Sequence, residues 1–300
     1  MIAATFDQPR LDDTEQRLLY KLASTIDRLP VGGGGSGQTG TGSPVGVATP
    51  AFVDQLYIDT TGPNYWRSTG LTSADWTAIA GGSGGGLVWG PSPTTIDSLD
   101  FSSIGAAETQ VSFPTLTDVT SFVSCLNNTT IISASFPALI NCSGDVAFAG
   151  CSALTTVDLS NLVSIAGLDV DTSSSLVSLL VPKLKTIGSD NFYFNNNTAL
   201  VTLDLSSLVT CSGSFVGHGC TLLVNFNVTN WIPTDGTSID VQQCALSAAS
   251  VEQVLRRCVL AGVTTCAINV SGGTNAGLAS LSAQGQTDAA TLGAQLTINP

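Results

Sequence analysis

A catalytic set built on a serine or cysteine nucleophile would have to use His218, since the sequence contains one histidine. Such a set needs an imidazole that takes a proton from the nucleophile and is itself held in place by a carboxylate. His218 stands between Gly217 and Gly219, which is typical of a solvated turn. The sequence therefore predicts no nucleophilic catalysis and no catalytic residues of this kind.

Paired carboxylates are the second chemistry to consider. Asp158 and Asp204 occupy the same outward position two units apart in the repeat described below. Adjacent strands lie about 4.8 Å apart, so their backbones would be roughly 9.6 Å apart. Inverting glycosidases separate their two carboxyl groups by about 6.5–9.5 Å. Leu180 occupies the intervening equivalent position, and charges that keep the sheet soluble are the favoured interpretation.

Metal chemistry has little support in the sequence. Asp169, Asp171 and Asp190 could contribute to a calcium site, but they form neither an EF-hand loop nor a G-G-x-G-x-D repeat. The eight cysteines include no C-x-x-C pair, and several recur at equivalent repeat positions. Reduced thiols stacked along an interior are therefore predicted. We expect neither a metal nor another cofactor.

The composition is that of a folded, acidic chain. Only 10% of residues are charged and 43% are hydrophobic, whereas disorder is typical of the opposite balance. The net charge is −13, which disfavours binding to nucleic acid. No apolar run is long enough for membrane insertion, and residues 1–7 lack the features of a secretory signal. We expect synthesis in a host cytoplasm without export by that route.

An internal repeat organises residues 93–245. One apolar strand position recurs in steps of 22 to 24 residues, at Phe113, Phe136, Leu159, Val181, Leu205 and Val228. A second apolar segment follows in each unit and then a turn rich in Asn, Ser or Gly. A unit this short cannot bury its apolar face alone, so the units must stack into one continuous core. The predicted architecture is a mostly β, leucine-rich-repeat-like β-solenoid.

The units resemble the leucine-rich repeats of bacterial BspA-like surface proteins and the repeats of receptor L-domains. The resemblance is carried by residues 148–159, FAGCSALTTVDL, and residues 176–188, LVSLLVPKLKTIG. It implies a solenoid used for adhesion or recognition, and it leaves the ligand open.

Alternation along the first strand of each unit predicts a candidate binding strip. Val157 and Leu159 should point inward, so their neighbours should point outward. The strip comprises Thr156, Asp158, Ser178, Thr202, Asp204, Asn225 and Asn227. It could bind sugar hydroxyls or a protein, and plain solvated surface is the alternative for each residue.

Residues 1–31 are predicted to hold an N-terminal helix with an apolar seam. Leu19, Leu22, Ile26 and Leu29 follow a 3-4-3 spacing. Two heptads are short for a free-standing coiled coil, so the seam is expected to anchor the chain to a partner or to join sister subunits. For this helix, an ordinary amphipathic helix packed on its own domain is the alternative. Residues 32–43 are predicted to be a Gly-rich linker.

Residues 44–80 are predicted to form a small aromatic β-module, followed by a second Gly-rich linker at 81–92. Strands are expected at 55–59, 65–68 and 76–79. The runs PVGVATP at 44–50, QLYIDT at 55–60 and YWRS at 65–68 resemble a short module that recurs in bacteriophage tail-fibre and virion proteins. This resemblance implies a virion location.

Residues 246–300 break the period and predict an α/β C-terminal cap. Ser247 can cap a helix that ends near Gly262, a strand is expected at 266–270, a short helix around Ala289–Gly293 and a last strand at 295–298. A solenoid needs such a segment to cover the end of its core.

These observations predict a phage virion accessory protein, a tail or head fibre or decoration protein, that is not an enzyme. The helix would bind other virion proteins, and the solenoid would face a host surface glycan or protein. A homo-oligomer is expected, with a trimer as one form. A bacterial BspA-like surface adhesin and a polysaccharide depolymerase are the two alternatives.

Overall fold

The computed structural model describes residues 94–102, 109–188 and 190–300, together with five short strands and residues 45, 48 and 74 before them. The predicted helical seam of Leu19, Leu22, Ile26 and Leu29 lies outside the described residues.

The first four strands form a sheet of their own. Its order is Gln38–Gly40, Leu56–Asp59, Tyr65–Ser68 and Trp76–Ile79, with a parallel first pair and antiparallel pairs after it. The last three strands confirm those predicted for the aromatic module. The first strand lies inside the predicted 32–43 linker, so that assignment was wrong for residues 38–40. Parallel pairing uses backbone groups, which composition does not reveal.

The described residues between 86 and 240 wind into a solenoid with three parallel sheet positions. The first sheet position is held by Gly86–Val88, Gln110–Ser112, Ser133–Ser135, Thr156–Asp158, Ser178–Leu180, Thr202–Asp204 and Asn225–Asn227. The second is held by Thr95–Ile96, Asp118–Val119, Asn141–Cys142, Ser164–Ile165, Thr186–Ile187 and Thr210–Cys211. The third is held by Leu99–Asp100, Val123–Ser124, Val146–Ala147, Leu168–Asp169, Phe192–Tyr193, Phe215–Val216 and Ser238–Asp240.

Every pair in these sheets is parallel and in register, so each position in a coil stacks on its equivalents. The first sheet is divided into five strands that end at Ser178–Leu180 and two that begin at Thr202–Asp204. The strand Gly86–Val88 pairs with Gln110–Ser112 and lies inside the predicted 81–92 linker. The linker assignment was therefore wrong for residues 86–88, and the solenoid begins before residue 93.

The core runs as one apolar column along the inside of the coils. Val157, Leu159, Leu203 and Leu205 are buried, which confirms the inward set of the first strand. Aromatic rings stack from coil to coil, with Phe113 and Phe136 centroids 5.5 Å apart and nearly parallel. Burying each large side chain contributes about 1.5–3 kcal/mol, so the stacked units stabilise one another.

A polar column runs beside this core, in the turn after the third sheet. Its members occupy equivalent places in successive coils and are all buried; we call them the interior polar column: Asn128, Cys151, Ser173, Asn197, Cys220 and Cys244. Each donates a hydrogen bond to an inward-facing backbone carbonyl.

The acceptors of the interior polar column are carbonyls at the end of the third-sheet strands. Asn128 Nδ2 donates to the carbonyl of Phe101 at 3.2 Å, and Ser173 Oγ donates to that of Phe148 at 2.8 Å. The thiol of Cys220 donates to the carbonyl of Phe194 at 2.9 Å. A buried carbonyl without a donor destabilises a fold by about 1–3 kcal/mol, so this column determines which residues the turn accepts.

The residue before each column member has a left-handed backbone. These residues are Asn127, Gly150, Thr172, Asn196, Gly219 and Gln243, with φ between 53° and 74°. Their N–H groups continue the ladder, as when Asn127 donates to the carbonyl of Ala149 at 2.7 Å. A Cβ at Gly150 would lie 2.5 Å from Asn127 Oδ1, so a larger residue there would require the Asn127 amide to shift.

The C-terminal segment closes the solenoid as predicted, with helix α1 at Ala248–Ala261 between Ser247 and Gly262. Ser250 Oγ accepts the N–H of Phe226 at 3.0 Å, and Gln253 Oε1 accepts that of Val228 at 2.6 Å. Helix side chains thus take the place of a next strand at the edge of the first sheet.

The third sheet continues through the cap with Ala267–Val270 and Leu296–Ile298. Helix α2 spans Ala283–Leu292, so the prediction of a short helix near Ala289 was wrong in extent. Ser282 begins this helix by accepting the N–H of Gly285 at 3.2 Å, a capping signal that the prediction overlooked. Short 3-10 helices at Leu278–Ser280 and Gly293–Gln295 flank it.

We predict that Asn128→Ala destabilises the protein by about 2–3 kcal/mol. The substitution removes the donor to Phe101 and also the Oδ1 atom that accepts the N–H groups of Thr130 and Ile131, each at 2.9 Å. Urea denaturation followed by far-ultraviolet circular dichroism measures the change. Thr129→Ala, at an exposed neighbour, is the matched control, and equal unfolding midpoints for the two variants would contradict the role of the column.

Candidate recognition surface

The first sheet presents the outward side chains that alternation predicts. In Thr156–Asp158 the central residue is buried and its neighbours are half-buried. In Thr202–Asp204 the central residue is again buried and both neighbours are exposed. We call the outward set the first-sheet strip: Thr156, Asp158, Ser178, Thr202, Asp204, Asn225 and Asn227. Its members do lie on one side of the backbone, and nothing further tests their role.

Register brings the strip together in two groups. Thr156 stands opposite Ser178, and Asp158 opposite Leu180, in the five-stranded part of the sheet. Thr202 stands opposite Asn225, and Asp204 opposite Asn227, in the two-stranded part. The strip therefore has two segments, one on each side of the interruption in the sheet.

The carboxylates of the strip already have local hydrogen-bond partners. Asp158 Oδ1 accepts the N–H of Ser160 at 3.0 Å and also its hydroxyl. Asp204 Oδ1 accepts the N–H of Ser206 at 2.9 Å. Such turns let a short polar side chain satisfy backbone groups where a strand ends. These two residues thus have a structural role that the sequence analysis did not identify.

The amides and hydroxyls of the strip form cross-strand contacts. Asn227 Nδ2 donates to Asp204 Oδ1 at 2.9 Å, and Asn225 Nδ2 approaches Thr202 Oγ1 at 3.5 Å. Side-chain ladders of this kind stabilise neighbouring strands by about 0.2–1 kcal/mol a pair. The remaining hydrogen-bonding groups belong to a mostly uncharged polar surface with two carboxylates. Such a surface suits recognition more than proton transfer.

The arrangement of Asp158 and Asp204 gives no support to an acid–base pair. Leu180 lies between them with 43% of its surface exposed, and each carboxylate is bound to the serine two residues on. General acid catalysis by a carboxyl group needs surroundings that favour its protonated form. The absence of enzymatic activity stays a prediction.

A carboxyl pair that sequence reasoning missed lies elsewhere, at the corner between the second and third sheets. Asp145 and Asp190 come together across Gly167, where a Cβ would lie 2.7 Å from Asp145 Oδ1 and 2.8 Å from Asp190 Cβ. Burial of Asp145, the negative charge of Asp190 and the hydrogen bond between the two raise the pKa of Asp145 to about 6. Glycine in the intervening coil makes room for the pair.

The predicted calcium ligands do not form a common site. Asp171 is buried and accepts the N–H and the side-chain amide of Asn195, at 2.7 and 2.9 Å. Asp190 contacts Asp145 instead. Within the described residues, no group of three or more His, Cys, Asp or Glu side chains could hold a metal ion.

All eight cysteines are buried and carry free thiols, as the repeat spacing predicts. Burial raises the pKa of Cys142, Cys211 and Cys258 to about 12. A thiol becomes a strong nucleophile as its thiolate, so these groups are unreactive at neutral pH. Cys151, Cys220 and Cys244 act in addition as hydrogen-bond donors in the interior polar column, which the sequence analysis did not foresee.

His218 lies in a turn, as the flanking glycines predict, and it is half-buried. Its N–H donates to Asn195 Oδ1 at 3.0 Å, and its carbonyl accepts the N–H of Asn196 at 2.9 Å. The backbone of His218 thus belongs to the ladder of the turns.

Among the residues that the structure describes, none lies in a helix long and apolar enough to span a membrane.

Comparison with known proteins identifies the repeat region. Residues 92–199 and 120–240 match the family model for the BspA type leucine rich repeat region, in six copies. The matched residues coincide with the coils described above, so the β-solenoid is similar to BspA-type leucine-rich repeats over that region. No curated protein and no solved structure matched the chain.

We predict that Asp145→Asn makes the protein more stable at neutral pH and flattens its pH dependence. The folded-state pKa of about 6 lies above the ordinary aspartate pKa of about 3.9, so protonation favours the folded state. This contribution is fully present below about pH 4 and is lost as pH rises through about 6, at a cost on the order of 2–3 kcal/mol. Chemical denaturation at pH 4 and pH 7.5 measures it.

Asp204→Asn is the control for this measurement, since Asp204 is exposed and asparagine keeps its turn-forming acceptor. If the free energies of unfolding of wild type and Asp145→Asn keep the same difference at both pH values, the carboxyl pair does not titrate as described.

Proposed function

We propose that this chain is a non-enzymatic recognition protein whose solenoid displays the first-sheet strip to a surface glycan or protein. The observation that carries the proposal is the in-register first sheet, which repeats one outward surface at steps of about 4.8 Å. The match to BspA-type leucine-rich repeats supports a surface or protein-binding role. The fold itself does not specify the ligand.

The proposed location is a bacteriophage particle, where the chain would be a tail or head fibre or a decoration protein. Support comes from the resemblance of the 44–80 module to a module of virion proteins, and from the four-stranded sheet found there. Residues 1–31 would bind other virion proteins and join sister subunits, with a trimer as one possible assembly. The net charge of −13 supports a partner that is not nucleic acid.

A bacterial BspA-like adhesin is the second candidate, and the match of the repeat region favours it specifically. Both candidates use the same solenoid face and differ in what carries the protein. A polysaccharide depolymerase has less support, because Asp158 and Asp204 serve as turn acceptors and Leu180 separates them.

Mass spectrometry and immunogold microscopy of purified particles from the source distinguish the two candidates. Antibody against residues 93–300 should label regular positions on a capsid or tail. If the protein is absent from particles and the antibody labels cell envelopes, the virion role is wrong and the adhesin role is favoured.

We predict that Leu22→Asp with Ile26→Asp reduces the amount of protein on particles at least about tenfold. Two carboxylates in an apolar seam would each have to be desolvated on docking, which costs several kcal/mol and exceeds a tenfold change in affinity. Quantitative immunoblotting of purified particles measures the loss. Ser24→Asp with Thr25→Asp adds the same charge outside the seam and should be incorporated normally. Equal incorporation of both variants would contradict the anchoring role.

A further inference from the structure

Exposed aliphatic side chains are concentrated beside the first-sheet strip. The residue immediately before each of four first-sheet strands is an exposed, β-branched aliphatic; we call this set the aliphatic column: Ile132, Val177, Val201 and Val224. Val177 is 58% exposed and Val201 is 45% exposed. Thr155 occupies the equivalent place in the coil between Ile132 and Val177.

Backbone hydrogen bonds hold the aliphatic column in two groups, Ile132 with Val177 through Thr155 and Val201 with Val224, on the two sides of the interruption in the first sheet. Val177 donates its N–H to the carbonyl of Thr155 at 2.9 Å, and Val224 donates to that of Val201 at 3.0 Å. Each step along the solenoid is about 4.8 Å, so the column extends for about 19 Å over five coils. It borders the strip directly, because Ser178, Thr202 and Asn225 follow its last three members in the chain.

Two further apolar side chains widen the surface at the same coils. Leu180 projects outward between Asp158 and Asp204 with 43% of its surface exposed. Leu222, which is 54% exposed, comes two residues before Val224. The exposed aliphatics therefore recur on three successive coils, beside the polar strip. Patches of this kind on soluble proteins mark protein-interaction sites.

The charge around this patch is predominantly negative. Residues 93–245 contain twelve acidic residues and two basic ones, Lys183 and Lys185. The strip contributes Asp158 and Asp204 and no cation. Lys183 lies in the turn beyond the strand, and its ammonium donates to Asn161 Oδ1 at 2.6 Å. An arriving surface therefore meets apolar side chains and carboxylates together.

We infer that the aliphatic column and the first-sheet strip form one docking surface for a protein segment that carries aliphatic and basic side chains together. This inference deepens the proposed recognition role and rests on it. Aliphatic groups of the partner would be desolvated against Val177, Val201 and Val224, and its Lys or Arg side chains would reach Asp204 at the exposed edge. Complementary charge of this kind directs encounter and excludes partners of like sign.

A second copy of this chain fits the surface poorly. Face-to-face pairing would place the carboxylates of one strip against those of the other, with no cation in either strip to compensate. A polyanionic glycan would meet the same repulsion. A neutral glycan would gain little from the aliphatic column, since sugars offer hydroxyls that lose water without a hydrogen-bond partner there.

Three synthetic twelve-residue peptides test the inference on the full chain: alternating Val-Lys, alternating Val-Glu and alternating Ser-Lys. Fluorescence anisotropy at low and high salt gives their dissociation constants. The Val-Lys peptide is expected to bind at least about tenfold more tightly than either of the others, since it alone matches both properties of the surface. Its affinity should fall with added salt, because part of the attraction is between exposed charges.

The triple variant Val177→Thr, Val201→Thr and Val224→Thr keeps the net charge and the β-branched shape while it removes three methyl groups. It should weaken binding of the Val-Lys peptide at least about tenfold, since each methyl group contributes roughly 0.8 kcal/mol when it is buried. The control variant changes Ile140, Val209 and Ile232 to threonine. These side chains are also exposed and β-branched, but Ile140 and Val209 immediately precede second-sheet strands, and Ile232 stacks on Val209 through an N–H to carbonyl bond of 2.9 Å. The control should bind within about twofold of wild type.

Equal affinity of the triple and control variants, or equal affinity for the Val-Lys and Val-Glu peptides, would overturn the inference. The inference would also be overturned, in favour of sugar recognition, if a neutral glycan bound more tightly than the Val-Lys peptide and its affinity did not change in the triple variant. These outcomes are separate from the particle-labelling experiment. If the protein is found on particles but shows no preference for the Val-Lys peptide, the proposed location stands and the proposed docking surface is wrong.

Discussion

The fold depends on satisfying the backbone carbonyls that face inward where each coil turns after the third sheet. A coil of 22 to 24 residues turns sharply there, and its left-handed residue directs the chain back toward the first sheet. The interior polar column supplies buried donors to these turns, among them an amide to Phe101, a hydroxyl to Phe148 and a thiol to Phe194. An unpaired buried carbonyl would offset much of the stabilisation that one coil contributes. The stack therefore tolerates few other residues at this position.

This constraint also explains which residues remain available for recognition. The inward positions are taken by the apolar core and the interior polar column, and Asp158 and Asp204 are engaged in the turns that end their strands. What the solenoid presents to a partner is therefore a neutral, weakly acidic strip with an aliphatic border. A regular scaffold with a variable outer surface is well suited to display.

Much of this could be predicted from the sequence because stacking makes local patterns decisive. The repeat step, the inward set of Val157 and Leu159, and the ends of helix α1 at Ser247 and Gly262 all follow from spacing and capping rules. The strands Gln38–Gly40 and Gly86–Val88 could not be predicted, since they lie in Gly-rich runs and pair with strands further along the chain. Asp145 and Asp190 are 45 residues apart, and only the superposition of coils across Gly167 brings them together.

Amide hydrogen exchange of the full chain, resolved to single residues, tests the central claim most directly. If the interior polar column and its ladder hold the turns, the N–H groups of Asn127, Gly150, Thr172 and Asn196 should exchange as slowly as those of the neighbouring third-sheet strands, because each is bonded to the next coil. Exchange of these turn amides at the rate of solvent-exposed loops, with the strands still protected, would contradict it. The stack would then be held by the apolar core alone.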